Sequence, residues 1–413
     1  MADRGWAALL RLADFRLLWI GSTLSALGSQ LTSLALPLLV LDRTGSPTSA
    51  GLVATARLLV FYAAQLPAGV AADRFDRRSV LMVADAGRAA ALAGVGVVAL
   101  TRPAGALWLI VGLMSVEGML TAVANLAATA ALPQLVPEKQ RPSALALGHA
   151  QGNAVQLVGP LLGAALYRLH PAVPFALDAL SYAVGMSLVL SVRGRLGGGG
   201  RVSSSVRADI ALGLRFVARS RYLLLMIGWS ALMNFATAGI GFVLILVVGR
   251  QDGGLSLGVS LTVMAAAGLA GAVLAPRFHA ANEDRLIRAT TALIVALGVA
   301  GALSPGPVVM TVCTAGIAFL APIIVVPKNA RLYALIPDEL MGRAQSSLFL
   351  IGGSLYPFAA LATGWLVERG SPSLAMAAHA GVLVAVLVIT MVPQFQRGTP
   401  VLTVPPAVEN TER

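Results

Sequence analysis

Residues 69–78 read Gly69-Val70-Ala71-Ala72-Asp73-Arg74-Phe75-Asp76-Arg77-Arg78. Half of these positions carry a charge, in a chain where charged residues make up only 12%. Such density marks a segment that stands in water. On either side lie apolar runs at about 48–72 and 79–101. Each is long enough for a helix through a bilayer, which takes roughly 20 apolar residues. The stretch is therefore a short polar turn between two spanning helices, and the rest of the chain is organised in the same way.

Further apolar runs fall at about 17–41, 104–131, 143–167 and 173–192, and then at about 222–248, 255–276, 289–304, 307–332, 344–367 and 373–392. The spacing predicts an all-α membrane protein of twelve transmembrane helices in two six-helix bundles. Orientation follows from the excess of Lys and Arg in cytoplasmic loops. The N-terminus, the stretches near 73–78, 132–142, 193–221, 277–288 and 328–343, and the C-terminal tail hold 23 basic residues, and the opposite loops hold 5. Both termini are thus expected in the cytoplasm. The organisation is a cytoplasmic N-terminus (1–16), an N-terminal bundle (17–192), a linker (193–221), a C-terminal bundle (222–392) and a cytoplasmic tail (393–413). The linker is rich in Gly and Ser, a flexible composition. Within it, Ile210, Leu214 and Val217 at helical spacing predict a basic amphipathic helix on the inner membrane surface. Similar strings recur some 200 residues apart. Leu17-Leu18-Trp19-Ile20-Gly21 matches Leu224-Leu225-Met226-Ile227-Gly228, and Leu135-Val136-Pro137-Glu138 matches Leu335-Ile336-Pro337-Asp338. These echoes point to duplication of a six-helix unit, with a site between the repeats.

Composition excludes other classes. At 57% hydrophobic residues, a water-soluble enzyme could not cover its own surface. The net charge of +12 belongs to the cytoplasmic loops rather than to a nucleic-acid interface. Cys313 is the sole cysteine, so no intrachain disulfide forms. His149, His170, His279 and His379 show no metal-ligand spacing. There is no phosphate-binding Gly-rich loop ending in Lys-Ser or Lys-Thr, and Gly197–Gly200 reads as linker. Neither a metal nor another cofactor is expected, and a proton gradient would be the energy source.

The pattern G-x-x-x-D-R-x-x-R-R of the opening stretch resembles the signature of the major facilitator superfamily. The resemblance implies that Gly69 allows close helix approach and that Asp73 faces the partly positive N-terminus of helix 11 in the opposite half. Arg74, Arg77 and Arg78 would pair with acids or lipid phosphates, latching the cytoplasmic side. The plainer alternative is a basic turn that only sets topology. Asp76 departs from the pattern, where the superfamily often has Gly. Asp14-Phe15-Arg16-Leu17-Leu18-Trp19, Ser25-Ala26-Leu27-Gly28, Asp85-Ala86-Gly87-Arg88 and Asp178-Ala179-Leu180-Ser181-Tyr182 are similar to the exporter branch that includes macrolide efflux and enterobactin export proteins. In helix 5, Gly152, Gly159, Pro160 and Gly163 resemble the antiporter motif G-x-x-x-G-P-x-x-G, with Val155 where its first Gly belongs. Its small residues would pack helix 5 tightly across the interface between halves.

Charges inside a membrane are costly and functional by default. Glu117, in helix 4, is the leading proton carrier, with Arg57 in helix 2 as partner. A static ion pair is the competing reading. Asp85 and Arg88, three residues apart on helix 3, are further proton-coupling candidates; they can pair on one face, and a structural network beside the cytoplasmic latch is the competing reading, as it is for Asp178. Gln30, Asn125, Gln156, Asn234, Phe235, Phe319 and Tyr356 are candidates to line the substrate cavity or to glue helices. His149 reads as a buried hydrogen-bonded histidine. The resemblance implies a proton-coupled exporter of lipophilic or amphipathic small molecules in the plasma membrane, working as a monomer among its lipids, with no nucleic-acid partner. A dedicated exporter of a siderophore or another secondary metabolite and a non-transporting sensor of the same fold are the alternatives.

Overall fold

The computed structural model describes residues 6, 9–101, 103, 105–194, 197, 220–249, 254–278, 283–335, 348 and 351–393, with the backbone alone at 66, 70–74, 283, 327 and 329–335. The amphipathic helix expected at 207–219 and the tail beyond 393 lie outside the described residues. Among the described residues there are twelve α-helices of 12 residues or more. The first six are α1 (Ala13–Thr44), α2 (Pro47–Arg74), α3 (Arg77–Thr101), α4 (Leu107–Leu135), α5 (Arg141–Leu169) and α6 (Val173–Ser191). The second six are α7 (Arg221–Val248), α8 (Leu255–Leu274), α9 (Glu283–Leu303), α10 (Pro307–Leu335), α11 (Phe358–Arg369) and α12 (Pro372–Met391). No strand occurs among the described residues.

Local signals place the helix ends. Gly45 closes α1 in the left-handed region (φ 66°), its N–H reaching Leu41 O at 2.8 Å, a conformation that costs glycine nothing. Asp76 caps α3: its Oδ2 accepts from the Ser79 N–H at 3.0 Å and the Ser79 hydroxyl at 3.1 Å. This gives a physical reason for Asp at a position where the family pattern often has Gly. Asp14 accepts from the Arg193 and Gly194 N–H groups at 3.1 and 2.9 Å, tying the start of α1 to the chain leaving α6.

Ten of the described helices are long and apolar enough to cross a membrane, which makes this a multi-pass membrane protein. Of the twelve expected spans, α5 and α11 fall outside that set. α5 has the length but carries His149, Gln151, Asn153 and Gln156. α11 is short because the run expected to be continuous over 344–367 is interrupted by turns at 353–357. Gly352 and Gly353 favour the break, and Pro357 lacks the N–H that would carry a helix through it.

Packing repeats with a period of six helices. In the first half α1 packs on α5 and α6, α3 on α4 and α6, and α2 on α4. In the second, α7 packs on α11 and α12, α9 on α10 and α12, and α8 on α10. The principal contacts between halves, α2 with α11 and α5 with α8, exchange under the same shift. Two bundles therefore face each other about a pseudo-twofold axis.

Candidate functional site

The two bundles meet at the end opposite the N-terminus, called here the far end. Gly51 of α2 lies against the Ala360–Leu361 backbone of α11, and Gly364 of α11 lies against the Pro47–Thr48 backbone of α2. A Cβ at Gly51 would fall 2.9 Å from Leu361 Cα, and one at Gly364 3.1 Å from Thr48 Cα. Only glycine permits such approach. Glu368 strengthens the seam by accepting from the Ser46 hydroxyl at 2.6 Å and the Thr48 N–H at 2.9 Å, at the positive end of α2. The Thr55 hydroxyl donates to Pro357 O at 2.7 Å, again between halves.

The motif residues divide. Gly69 has no atom of a described residue within 4 Å of where its Cβ would be, and the stretch expected to approach it lies outside the described residues. The Asp73 and Arg74 side chains lie outside the described residues, and the latch stays an expectation. Arg78 donates to Leu190 O near the end of α6, where a cation answers the helix dipole. In α5, Gly159 and Gly163 do not face the opposite half. They seat α1, with Gln30 Cβ 2.6 Å and Leu31 Cα 3.3 Å from their would-be Cβ positions. The close contact across the interface is supplied instead by Gly258 of α8, set against Pro160–Ala164. Gly152 has open space. The motif's glycines Gly159 and Gly163 thus join α5 to α1, while α8 supplies the small residue, Gly258, that meets Pro160 across the interface.

In the first half, four helices bring charges into one buried cluster. Arg57 Nε bonds Glu117 Oε2 at 2.5 Å and its Nη2 bonds Oε1 at 3.2 Å. The Thr121 hydroxyl adds a 2.7 Å bond to Oε1. Gly118 lies against the Arg57 backbone, which brings α2 and α4 close enough for the pair. Both Arg57 and Glu117 stand ten residues in from the far-end starts of their helices, about 15 Å deep and so near mid-membrane. Glu117 is only 1% exposed, whereas the Arg57 side chain keeps 24%. Asp178 is also buried. It accepts from Thr32 Oγ1 at 2.5 Å and from Ser181 Oγ at 3.3 Å, with no cation of a described residue within ion-pair distance. It repels Glu117 and attracts Arg57 from farther off. On α3, Arg88 pairs with Asp85 and lies 4.1 Å from the centroid of the Tyr182 ring. The Tyr182 hydroxyl bonds Ser29 at 2.9 Å.

The cavity candidates scatter. Asn234 and Tyr356 are both placed at the broken stretch before α11: Asn234 Nδ2 donates to Gly352 O at 3.1 Å, Tyr356 belongs to that stretch, and both residues are exposed. Tyr356 lies within electrostatic reach of Tyr62 of the first half. Phe235 instead packs on His379, 5.4 Å between ring centres, inside the second bundle. Gln30 is spent on Gly159 and Ser33, and Phe319 lies along Gly271 of α8. Asn125 and Gln156 are exposed. His149 was expected to be a buried hydrogen-bonded histidine; it is exposed.

Sequence reasoning missed Lys328. It was counted with a cytoplasmic loop, yet α10 continues through it to Leu335. Its Nζ donates to Ser230 Oγ at 2.9 Å and stands 4.8 Å from the centroid of the Trp229 ring, both on α7. Helical spacing running past Val326 into Leu332 and Leu335 was the available signal. Thr363 and His379 were also missed as a pair, with 2.7 Å between Oγ1 and Nε2. An open groove of about 470 Å³ along Phe358, Leu361, Ala362, Trp365 and Leu366 offers no polar anchor.

Known proteins resemble this chain over most of its length. The Major Facilitator Superfamily model matches residues 18–356. The Multidrug efflux pump Tap of Mycobacterium tuberculosis is 31% identical over 315 residues, covering 72% of this chain and 74% of that protein. Macrolide efflux protein A of Streptococcus pyogenes is 26% identical over 360 residues, covering 84% and 86%. In fold, the nucleoside transporter NupG superposes with a TM-score of 0.71 at 10% identity, over 92% of this chain and 98% of that one. A bacterial homologue of the iron transporter ferroportin in its inward-facing state gives 0.68 at 17% identity, over 93% and 98%. Helix packing, internal symmetry and the matched family model agree: the chain is a membrane transporter belonging to the major facilitator superfamily.

Proposed function

We propose that this transporter is a proton-coupled antiporter that exports lipophilic small molecules by alternating access. It comprises two six-helix units, residues 17–192 and 222–392, joined by the linker 193–221, with both termini in the cytoplasm. The observation that carries the reading is the mid-membrane pair of Arg57 and Glu117, bonded at 2.5 Å and backed by Asp178. A buried ion pair is weak evidence for stability, since desolvation offsets its attraction. Its retention in the core of one half fits a working role. A proton arriving on Glu117 neutralises the carboxylate and releases Arg57 toward Asp178. That exchange alters the polar contacts among α2, α4 and α6 and biases the two halves between arrangements. The far-end seal corresponds to the outward side in the topology read from the loops, so this arrangement has the central site open to the cytoplasm, ready to load cargo. A membrane potential contributes about 2.3 kcal/mol per charge per 100 mV, enough for one or two protons to drive substantial export. Relatives named as multidrug and macrolide efflux proteins support the direction and the cargo class.

Inside-out vesicles with an acid lumen test this. The parent protein is expected to accumulate a fluorescent lipophilic dye, and Glu117→Gln to lower gradient-driven uptake at least tenfold. Equal uptake in parent and variant would remove Glu117 from coupling. Uptake by the parent no greater than by empty vesicles would refute the export reading itself.

A further inference from the structure

We propose that Lys328, with Ser230 and Trp229, forms an anion subsite at the seam of the two halves, so that the cargo is a lipophilic molecule bearing a carboxylate or a similar oxyanion. This rests on the transport reading above and narrows its cargo.

Lys328 is partly buried. Its neighbour Ser230 lies nine residues into α7, roughly 14 Å along the axis, so the ammonium sits below the membrane surface. No carboxylate of a described residue lies within 4.0 Å of it, and burial acts on it with no offsetting charge among the described residues. The cations in the buried cluster of the first half are already paired: Arg57 with Glu117, and Arg88 with Asp85. An ammonium so placed has a serine hydroxyl and an indole face, which replace only part of its hydration. An anion would complete the shell.

The geometry around it suits a bound oxyanion. Ser230 accepts from the ammonium, which leaves its own O–H to donate. Lysine offers donors alone, so the pair presents two donors to one acceptor group. One helical turn on, Asn234 is exposed and bonds Gly352 O. Gly352 itself lies against Ser230, whose Cβ is 3.3 Å from the position a Cβ there would take. The broken stretch then presents exposed Leu355 and Tyr356, and its Pro357 carbonyl takes the Thr55 hydroxyl of the first half. Charge, hydroxyl, amide and apolar surface thus converge where a helix is interrupted. Transporter sites are commonly built on such interruptions.

The test uses full-length protein in lipid nanodiscs and two probes: a fluorescent xanthene carboxylate and its methyl ester. The parent is expected to prefer the carboxylate. Lys328→Ala and the bulkier Lys328→Met should lower the ester-to-carboxylate Kd ratio about tenfold, and Lys328→Arg should keep most of it. The same ratio in all four proteins would overturn the proposal. So would a Lys328→Ala protein that retains less co-purified phosphatidylglycerol while keeping the parent's ratio, because the lysine would then hold a lipid headgroup. Ester transport by the parent in acid-loaded vesicles is measured alongside. Its presence together with an unchanged ratio refutes the anion subsite alone, whereas failure of the parent to move either probe refutes the transport reading.

Discussion

The seam between α2 and α11 yields a sharp test of alternating access. Replacing Gly364 with Leu adds a side chain that meets backbone atoms of the opposite half: its Cβ would fall 2.8 Å from the Pro47 carbonyl carbon and 3.1 Å from Thr48 Cα. Backbone cannot step aside as a flexible side chain can. Overpacking of this kind costs about 1–3 kcal/mol. Because the clash lies between halves, separation of the far end relieves it. The cost therefore falls on the far-end-closed arrangement and multiplies the open-to-closed ratio by about 5 to 150. Spin labels at Leu169 and Leu303, exposed residues at the far ends of α5 and α9, report the change by pulsed electron resonance, with the buried Cys313 replaced by Ala. The variant should move population to longer distances. Gly112→Leu is the control, since a Cβ at Gly112 has nothing within 4 Å. If Gly364→Leu folds and gives the parent's distance distribution, the far-end seal is not the moving contact and the reasoning fails.

Other consequences can be measured directly. Arg57→Met leaves Glu117 buried without its partner, and such a loss costs about 3–5 kcal/mol; the Arg57→Met, Glu117→Met double variant should recover most of the melting temperature lost in detergent. Equal melting of the single and double variants would show that the pair is not coupled. Glu368→Ala should open the far end less than Gly364→Leu, because Glu368 is exposed, and the effect should shrink in high salt; the same spin-label distances decide. Gly239→Ala would drive a methyl into the His379 ring, so its thermal stability should fall, while Gly241→Ala, with open space around it, should match the parent. Asp76→Ala removes the α3 cap and should speed hydrogen exchange of the Ser79 amide, with about 1 kcal/mol lost locally.

Much of this molecule follows from the order of its residues alone. Long apolar runs must become helices in lipid because each backbone group has to be satisfied within its own segment. Hence the expected runs at 17–41 and 173–192 reappear inside α1 and as α6. The charged turn at 73–78, the Asp85–Arg88 pairing and the partnership of Arg57 with Glu117 were readable because helical spacing and the cost of buried charge leave few alternatives. What sequence could not give is which surfaces meet. That Gly159 and Gly163 seat α1, whereas Gly258 meets the opposite half, depends on how α5 is rotated in its bundle. That Phe235 turns to His379 while Asn234, one position earlier, reaches Gly352 is again a matter of helix rotation. Lys328 looked like a loop cation because a lysine near the end of an apolar run ordinarily reaches for water. Only the continuation of α10 and the arrival of Ser230 and Trp229 from 98 and 99 residues away decided otherwise. Covalent order fixes hydrophobicity and helical period, which are local properties. Docking of one helix on another depends on side chains that are distant in the chain and come together only in three dimensions.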